Sequence, residues 1–181
     1  KEDCIGKQLS PYAITKYVDE LYANIYTKLY GMECIGLRYF NVFGPRQNPN
    51  GPYAAVIPKF IETILNDGSP TINGDGSFSR DFTFVKNVVI ANSNAMLTSN
   101  SDCYGEVFNI GTGTSISILE LHELINKHTG KTNKPIMGPS RLGDVPHSLA
   151  CIQKAGEMLC YYPKIDFNSG LIITIKSFNR N

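Results

Sequence analysis

Tyr12 and Lys16 are the residue pair in this chain whose types and spacing most clearly suggest chemistry. Residues four apart on an α-helix share one face, because each residue turns the helix by about 100°. An ammonium beside a phenol favours phenolate, and lowering a tyrosine pKa from about 10 to near 7 needs about 4 kcal/mol. A tyrosine tuned in this way could exchange a proton with a sugar hydroxyl. The same spacing also occurs on ordinary surface helices, so the surrounding sequence decides whether the pair is catalytic.

Three further polar residues are of types that bind charged ligands. Arg80 and Arg141 carry the planar guanidinium group that binds phosphate in a bidentate manner, although either could equally form a surface ion pair. Asn41 is a polar residue at the end of an apolar run. Ligands of α/β folds bind at the carboxyl ends of the strands, but an asparagine there could equally form a turn.

The first 31 residues predict the helix that positions the Tyr–Lys pair. Ser10 and Pro11 are typical of a helix N-cap and first helical position, and Gly31 is typical of a helix end. The helix carries an apolar stripe at helical spacing, which we expect to be its packing side. The stripe lies nearly opposite the Tyr–Lys pair. Its members are Ile14, Val18, Leu21, Ile25 and Leu29.

The rest of the chain alternates between strand-like and helix-like patterns. Residues 34–40 form an apolar run interrupted by Arg38, which predicts a buried strand. Asn87 is expected to be a helix N-cap, and Ser117 with Glu120 forms a capping box. This alternation predicts an α/β fold with parallel strand pairing. Further strands are expected near residues 71–72, 81–85, 107–110 and 136, and further helices at 54–65, 152–159 and 169–178.

The composition argues against several classes of function. The 181 residues suffice for one domain, or for one domain and part of another. With 17 Lys and Arg against 16 Asp and Glu, the net charge is +1, which argues against a nucleic-acid or membrane-surface binder. No run approaches the roughly 18 apolar residues of a membrane span. Five Cys without a Cys-x-x-Cys pair and three His without metal-ligand spacing predict free thiols, a cytoplasmic location and no metal site.

Two segments carry a resemblance to a known family. Ser-Pro-Tyr-Ala-Ile-Thr-Lys at 10–16 and Leu-Arg-Tyr-Phe-Asn-Val-Phe-Gly-Pro-Arg at 37–46 resemble the extended short-chain dehydrogenase/reductase family of nucleotide-sugar epimerases and dehydratases. The resemblance covers essentially the whole chain. It implies that Tyr12 and Lys16 are the catalytic pair, with Tyr12 as the acid and base, and that both also contact the cofactor. It further implies NAD as cofactor, with Lys16 at its ribose and Phe40 at its nicotinamide.

The same resemblance implies a binding site for a UDP-sugar. Asn41 is expected to contact the diphosphate of the substrate. Arg80 is expected to meet phosphate, while Arg141 and Asp144 of an Arg-x-x-Asp signature meet phosphate and the uridine ribose. The other residues that the resemblance assigns to the substrate are Ala55, Val56, Thr71, Asn73 and Asn109.

Within the family, residues 39–59 look most like the bacterial UDP-N-acetylglucosamine 4-epimerases. Ser148 falls where relatives that accept N-acetyl sugars carry a small residue, although it could equally be a polar residue that enters a helix. The implied reaction is reversible C4 epimerisation of a UDP-hexose, N-acetylated or in its uronic acid form. The alternatives left open are a UDP-glucuronate decarboxylase, a nucleotide-sugar 4,6-dehydratase, and an inactive fragment that only binds UDP-sugar.

Part of the family pattern has no counterpart in this sequence. Nothing matches the Gly-x-x-Gly-x-x-Gly turn that binds the NAD pyrophosphate, and residues 1–9 lack the Ser or Thr that completes the Tyr–Lys pair. Residues 111–113 read Gly-Thr-Gly after a strand, but Ile116 stands at the third glycine position, so we interpret a plain turn. We therefore expect a fragment that is inactive on its own.

The expected architecture is the C-terminal part of a Rossmann-type parallel sheet domain interleaved with a smaller α/β substrate-binding domain. Residues 1–45 and 84–110 are assigned to the Rossmann remnant. Residues 46–83 and 111–181 are assigned to the UDP-sugar-binding domain. By analogy with the family, we expect a homodimer formed through the helix that carries Tyr12.

Overall fold

The computed structural model describes residues 1–8, 10–50, 55–140 and 145–178, and its architecture is α/β, as predicted. The helices are α1 Pro11–Tyr30, α2 Val56–Leu65, α3 Val85–Leu97, α4 Ile118–Thr129, α5 Gln153–Leu159 and α6 Phe167–Phe178, with a 3-10 helix at Ser101–Cys103. The strands are β1 Gly36–Tyr39, β2 Val42–Phe43, β3 Thr71–Asn73, β4 Ser79–Arg80, β5 Thr83–Phe84, β6 Val107–Ile110, β7 Ile116–Ser117 and β8 Ile136–Gly138.

The strands described here form two-stranded pairs, and most of these pairs are parallel. β1 pairs with β6, β2 with β5, and β3 with β8 in parallel, while β4 and β7 are antiparallel. In the first pair, Gly36 lies opposite Val107 and Tyr39 lies opposite Ile110. The predicted parallel pairing is therefore confirmed, and parallel strands place their carboxyl ends at one edge.

Two helices begin and end where the sequence predicted. Ser10 Oγ accepts a hydrogen bond from Ala13 N at 3.1 Å, and Gly31 ends α1 with a left-handed backbone. Ser117 Oγ accepts from Glu120 N at 3.1 Å at the start of α4. These caps satisfy N–H groups that have no partner within the helix.

Asn87 is not the N-cap that the sequence suggested. Helix α3 begins at Val85, so Asn87 lies within its first turn and is fully buried. Its side-chain oxygen accepts from Lys164 N at 2.9 Å and Ile165 N at 3.0 Å, and its amide donates to Ile165 O at 2.7 Å. A buried asparagine must be paired, and here the partner is a distant backbone segment rather than its own helix.

The buried apolar residues form two clusters. The larger packs α2, α4 and α6 against β2, β3 and β5; its buried members are Phe43, Ile57, Phe60, Ile61, Ile64, Ile72, Phe82, Phe84, Leu121, Ile125, Phe167, Leu171 and Ile175. The smaller packs α3 and α5 around β6; its buried members are Ala91, Cys103, Phe108, Ile110, Ala155, Leu159 and Tyr161. The division into two interleaved domains stays a prediction.

Helix α1 packs with a different side from the one predicted. All five residues of its aliphatic stripe are 38% to 67% exposed, and α1 has no buried residue. The side that meets the β1–β6 pair is polar: Glu20 pairs with Arg38 of β1, and Asn24 donates to Gly105 O at 3.0 Å. The expectation that the stripe is the packing side is wrong for the described chain, because β1 presents a charged residue to α1.

Other features of the described ranges bear on the class of protein. None of their helices is long and apolar enough to cross a bilayer. They contain no group of three or more His, Cys, Asp or Glu side chains arranged to hold a metal ion. The five cysteines are free thiols, and only Cys103 is buried among them.

Candidate functional site

The first cavity has a volume of about 320 Å³ and lies beside β2, β3, β4 and the first turn of α2. The fold brings together here residues from distant stretches of chain that the resemblance assigns to the UDP-sugar. These residues are Asn41, Ala55, Val56, Thr71, Asn73 and Arg80. Much of the remaining lining is aromatic or aliphatic, including Phe60, Phe78, Phe82 and Ile118. A mostly apolar cavity with a few polar groups is typical of a small-molecule site.

The polar groups of the first cavity favour an anion. Arg80 is the charged residue among the described residues of its lining, and one guanidinium nitrogen donates to Ser79 O at 2.9 Å and Pro146 O at 3.1 Å. The first turn of α2 also lines the cavity, and its N-cap residue Ala55 makes no side-chain capping bond. A helix N-terminus presents backbone N–H groups and a partial positive charge. Together with a guanidinium, it suits a phosphate group.

A second cavity, the α1 groove, has a volume of about 570 Å³ and runs between α1, the end of β1 and residues 145–149. Of the predicted site residues, Lys16, Phe40, Asn109 and Ser148 line it. Phe40 lines the α1 groove and the next residue, Asn41, lines the first cavity. The two cavities are therefore neighbours, one on each side of the end of β1.

Tyr12 and Lys16 lie side by side at the start of α1. The Lys16 ammonium is 5.9 Å from the centre of the Tyr12 ring, which is a cation–π distance. Lys16 also donates to Asp19 at 3.1 Å, and this hydrogen bond is the main reason that the pKa of Lys16 is raised. The Tyr12 ring is 71% exposed and is not part of the groove lining. The pair is accessible on the exposed side of α1.

Two predicted substrate residues lie in the α1 groove rather than in the first cavity. Asn109 is 2% exposed, and its side chain is engaged: the oxygen accepts from Arg38 at 3.1 Å and the amide donates to Cys151 O at 3.4 Å. Ser148 Oγ is buried and has no hydrogen-bond partner within the described ranges. Arg141 and Asp144 lie outside the described residues.

Comparison with known proteins decides the family. The model of the NAD dependent epimerase/dehydratase family matches residues 1–111, more than half of the chain. The chain belongs to that family. This match confirms the family resemblance that the Tyr-x-x-x-Lys and Leu-Arg-Tyr-Phe-Asn segments indicated.

Relatives of this family member include UDP-sugar 4-epimerases. A putative UDP-glucose 4-epimerase of Methanocaldococcus jannaschii is 42% identical over 163 residues, which are 90% of this chain and 51% of that protein. The solved UDP-N-acetylglucosamine 4-epimerase of Methanobrevibacter ruminantium, in complex with UDP-N-acetylmuramic acid, superposes with a TM-score of 0.92 at 42% identity. The UDP-glucuronic acid 4-epimerase of Bacillus cereus, with UDP-glucuronic acid and NAD, gives 0.91 at 32%. In both structural matches, the aligned region covers 99% of this chain and 56% of the other chain. The chain spans about half the length of the curated relatives it matches.

The family member contains a charged pair that sequence reasoning overlooked. Arg38 of β1 donates from two nitrogens to both carboxylate oxygens of Glu20 on α1, at 2.9 and 2.8 Å. The hydrogen bond to Glu20 is the main reason that the pKa of Arg38 is raised. A signal was available, because Arg38 interrupts an otherwise apolar strand and Glu20 lies one helical turn after Lys16.

The Gly-Thr-Gly segment after β6 is a turn held by a buried carboxylate. Asp81 accepts from Thr112 N at 2.8 Å and from Gly113 N at 2.9 Å. These two amides are the groups that a dinucleotide-binding turn would offer to a pyrophosphate. Because both are paired with Asp81, the plain-turn interpretation fits the structure.

Proposed function

We propose that this family member takes part in the reversible C4 epimerisation of a UDP-hexose, with an N-acetylhexosamine or its uronic acid form as the sugar. The observation that carries the proposal is the convergence of six predicted UDP-sugar residues on the first cavity. The cavity adjoins a groove lined by Lys16, next to Tyr12. The named substrates and ligands of the similar epimerases are UDP-sugars, which supports this choice.

In this proposal the first cavity binds the uridine diphosphate. Arg80, Asn41 and the N-terminal turn of α2 would hold the diphosphate oxygens, because they supply a cation, an amide and backbone N–H groups to the lining of one cavity. Thr71 and Asn73 of β3 would meet the uracil edge. Arg141 and Asp144 would contribute phosphate and ribose contacts.

The proton transfer is assigned to the start of α1. Tyr12 would remove the proton from the 4-hydroxyl of the sugar and later return it, acting as base and then as acid. The Lys16 ammonium lies 5.9 Å from the centre of the Tyr12 ring, close enough to interact with it electrostatically. Lys16 stays cationic at neutral pH, because the Asp19 carboxylate raises its pKa further.

NAD is the cofactor that the family description names, and the residues present fit one end of it. Lys16 could donate to ribose hydroxyls, and Phe40 offers an apolar surface to a nicotinamide ring. When bound, NAD would supply the acceptor and donor of the C4 hydride. The chain's own role is to orient the sugar carbon beside Phe40 while Tyr12 holds the proton.

The diphosphate assignment is tested by calorimetry with UDP. Arg80→Ala should weaken UDP binding at least about tenfold, since a hydrogen bond to a charged group contributes about 1.5–3 kcal/mol. Lys59→Ala is the matched control, because Lys59 is an exposed cation on α2 outside the cavity lining. It should bind UDP within about twofold of wild type. Equal affinities of wild type and Arg80→Ala would refute the assignment.

Turnover by the chain alone is a separate question. We expect that incubation with UDP-N-acetylglucosamine and NAD yields no galacto epimer, because the sequence contains no glycine-rich turn for the pyrophosphate. Chromatography of the nucleotide sugars checks this. Formation of the galacto epimer would show that the chain turns over the substrate without a glycine-rich turn. With the uronic acid substrate, a decarboxylated product would point to the decarboxylase alternative; a 4-keto-6-deoxy product from an unoxidised UDP-hexose would point to the dehydratase alternative.

We also propose that α1 mediates a homodimer. Its exposed aliphatic stripe is continuous with a row of rings, Tyr22, Tyr26 and Tyr30, whose centroids are 6.2 and 5.2 Å apart. A large exposed apolar surface is typical of a protein interface. Ile25→Lys on α1 should abolish self-association in sedimentation, whereas Ile173→Lys on α6, with similar exposure, should not. A monomeric wild type would contradict the proposal.

A further inference from the structure

Residues 78–83 form a wall between the first cavity and a segment that packs behind this wall. Along residues 78–83, the side chains of Phe78, Arg80 and Phe82 line the first cavity. Successive side chains of an extended segment point to opposite faces, so Ser79 and Asp81 point away from the cavity. The segment behind them is 145–150, here called the strap.

The strap is attached along this wall by backbone and side-chain hydrogen bonds. Ser79 N donates to Pro146 O at 3.0 Å, and Ser148 N donates to Ser79 O at 3.1 Å. Ser79 Oγ and His147 Nδ1 are 2.9 Å apart. On its other side, the strap lines the α1 groove with His147 and Ser148. The strap therefore links the wall of the first cavity to the groove beside Lys16.

Asp81 is the buried group at the end of this attachment. Its side chain is 0% exposed, and one oxygen accepts from both the amide and the hydroxyl of Thr112, each at 2.8 Å. The other oxygen accepts from Gly113 N at 2.9 Å and from Ala150 N at 3.3 Å. One carboxylate thus joins the wall, the turn after β6 and the end of the strap.

The packing at this junction leaves no room for a side chain at position 111. A Cβ atom added to Gly111 would lie 2.5 Å from the Ala150 Cβ and 2.7 Å from an Asp81 oxygen. Tyr161 closes the junction from the core side, where its hydroxyl donates to Gly111 O at 2.8 Å. Burial, with a smaller effect of Asp81, raises the pKa of Tyr161, so the hydroxyl keeps the proton that it donates.

We propose that Asp81 is a positioning residue for the sugar end of the substrate: it fixes the strap so that Ser148 faces the α1 groove while Arg80 faces the first cavity. The inference rests on the proposed UDP-sugar function and extends it to a residue that touches neither cavity. It follows that losing the Asp81 charge should affect recognition of the sugar more than recognition of UDP.

Asp81→Asn tests the proposal, because an amide nitrogen cannot accept the N–H groups that one carboxylate oxygen receives. Amide hydrogen exchange, followed by mass spectrometry, should become at least about tenfold faster in residues 111–114 and 145–150. Residues 57–65 of the core should keep their wild-type rates. Asp166→Asn is the matched control, because Asp166 accepts from Ser169 at the start of α6, away from both cavities. This variant should leave the hydrogen-exchange rates of the strap unchanged.

Calorimetry with the same variants supplies a readout that a purely structural role would not move. For Asp81→Asn we expect UDP affinity within about threefold of wild type and UDP-N-acetylglucosamine affinity at least about tenfold lower. Thr112→Val removes a single donor to Asp81. It should raise the hydrogen-exchange rate of the strap and lower the UDP-N-acetylglucosamine affinity, each to a smaller extent than Asp81→Asn. This variant decides the matter if Asp81→Asn does not fold.

The outcomes separate the two claims. Unchanged strap exchange, or an equal loss of affinity for UDP and UDP-N-acetylglucosamine, would overturn the positioning role of Asp81. If the wild-type chain binds neither ligand, the proposed function fails. In that case the exchange measurement still decides whether Asp81 fixes the strap.

Discussion

Helices α2 and α1 both carry residues of the proposed site, but they are attached to the molecule by different contacts. α2 has 10 residues and buries five of them, four of which belong to the larger core. α1 has 20 residues and buries none; its contacts with the sheet include the Arg38–Glu20 ion pair and the Asn24 hydrogen bond. Each large aliphatic side chain that α2 buries contributes about 1.5–3 kcal/mol, whereas α1 buries none and depends on its polar contacts.

This difference separates the two halves of the proposed chemistry. The proposed UDP site is lined by α2, β2 and β3, which share the larger core, so the first cavity should be preformed. The proton-transfer residues lie on a helix whose apolar side faces outward, so their position depends on polar contacts and on what covers that side. Substitutions that affect one region and spare the other test the distinction.

The largest effect is expected from core truncation. Ile61→Ala on α2 should destabilise the chain by about 2–5 kcal/mol, because Ile61 is 0% exposed and its removal leaves a cavity. Ile25→Ala on α1 removes the same atoms from a side chain that is 48% exposed. In the monomer, below the protein concentration at which α1 would self-associate, it should change the free energy of unfolding by about 0.5 kcal/mol or less. Urea denaturation compares the two, and similar losses would contradict the distinction.

A medium effect is expected where α1 is attached. Glu20→Gln should release α1 from the sheet, because it leaves the partly buried Arg38 without its carboxylate, a loss of about 1–3 kcal/mol. Hydrogen exchange should rise along α1 while α2 keeps its protection. Asp67→Asn, which breaks the more exposed pair with Lys131, is the control and should leave α1 unchanged. Equal exchange in wild type and Glu20→Gln would show that other contacts hold the helix.

The two serine caps should differ although their geometry is the same. Ser117→Ala and Ser10→Ala each remove a 3.1 Å bond to the amide three residues on. Ser117→Ala should lower global stability by about 1 kcal/mol, because α4 buries Leu121 and Ile125 in the core. Ser10→Ala should fray α1 and leave the global transition in place. The idea fails if Ser10→Ala has the larger effect on global unfolding.

The smallest effect is a pH dependence in the core region. Hydrogen bonds from the Ser169 hydroxyl and amide lower the pKa of Asp166 below its ordinary 3.8. A lowered folded pKa means that the stabilisation is complete above the unfolded value and is lost as pH falls through the folded value. Wild type should therefore be slightly more stable than Asp166→Asn at pH 6, since solvent screens this exposed carboxylate, and the gap should close as the pH falls through the lowered pKa.

The sequence predicted local features well. The ends of α1 followed from Ser10, Pro11 and Gly31, and the start of α4 followed from Ser117, because capping depends on neighbouring residues. The family was also readable, since its motifs are contiguous. These features need no knowledge of the tertiary structure.

Tertiary features were not readable from one chain. Which side of α1 packs depends on the neighbouring strand, and the charged Arg38 could not be placed against Glu20 from spacing alone. Asn87 looks like a cap in sequence, but its partners lie almost eighty residues away. The meeting of Ser148 with Lys16 in one groove likewise depends on the fold.

The most direct test of the central claim is a UDP titration followed by amide NMR shifts of the chain. If the first cavity binds the uridine diphosphate, the largest shifts should occur at residues 55–57, 71–73 and Arg80, with α1 nearly unaffected. Shifts concentrated on α1 and residues 145–149 would place the nucleotide in the other cavity and contradict the account. No shifts at saturating UDP would contradict it as well.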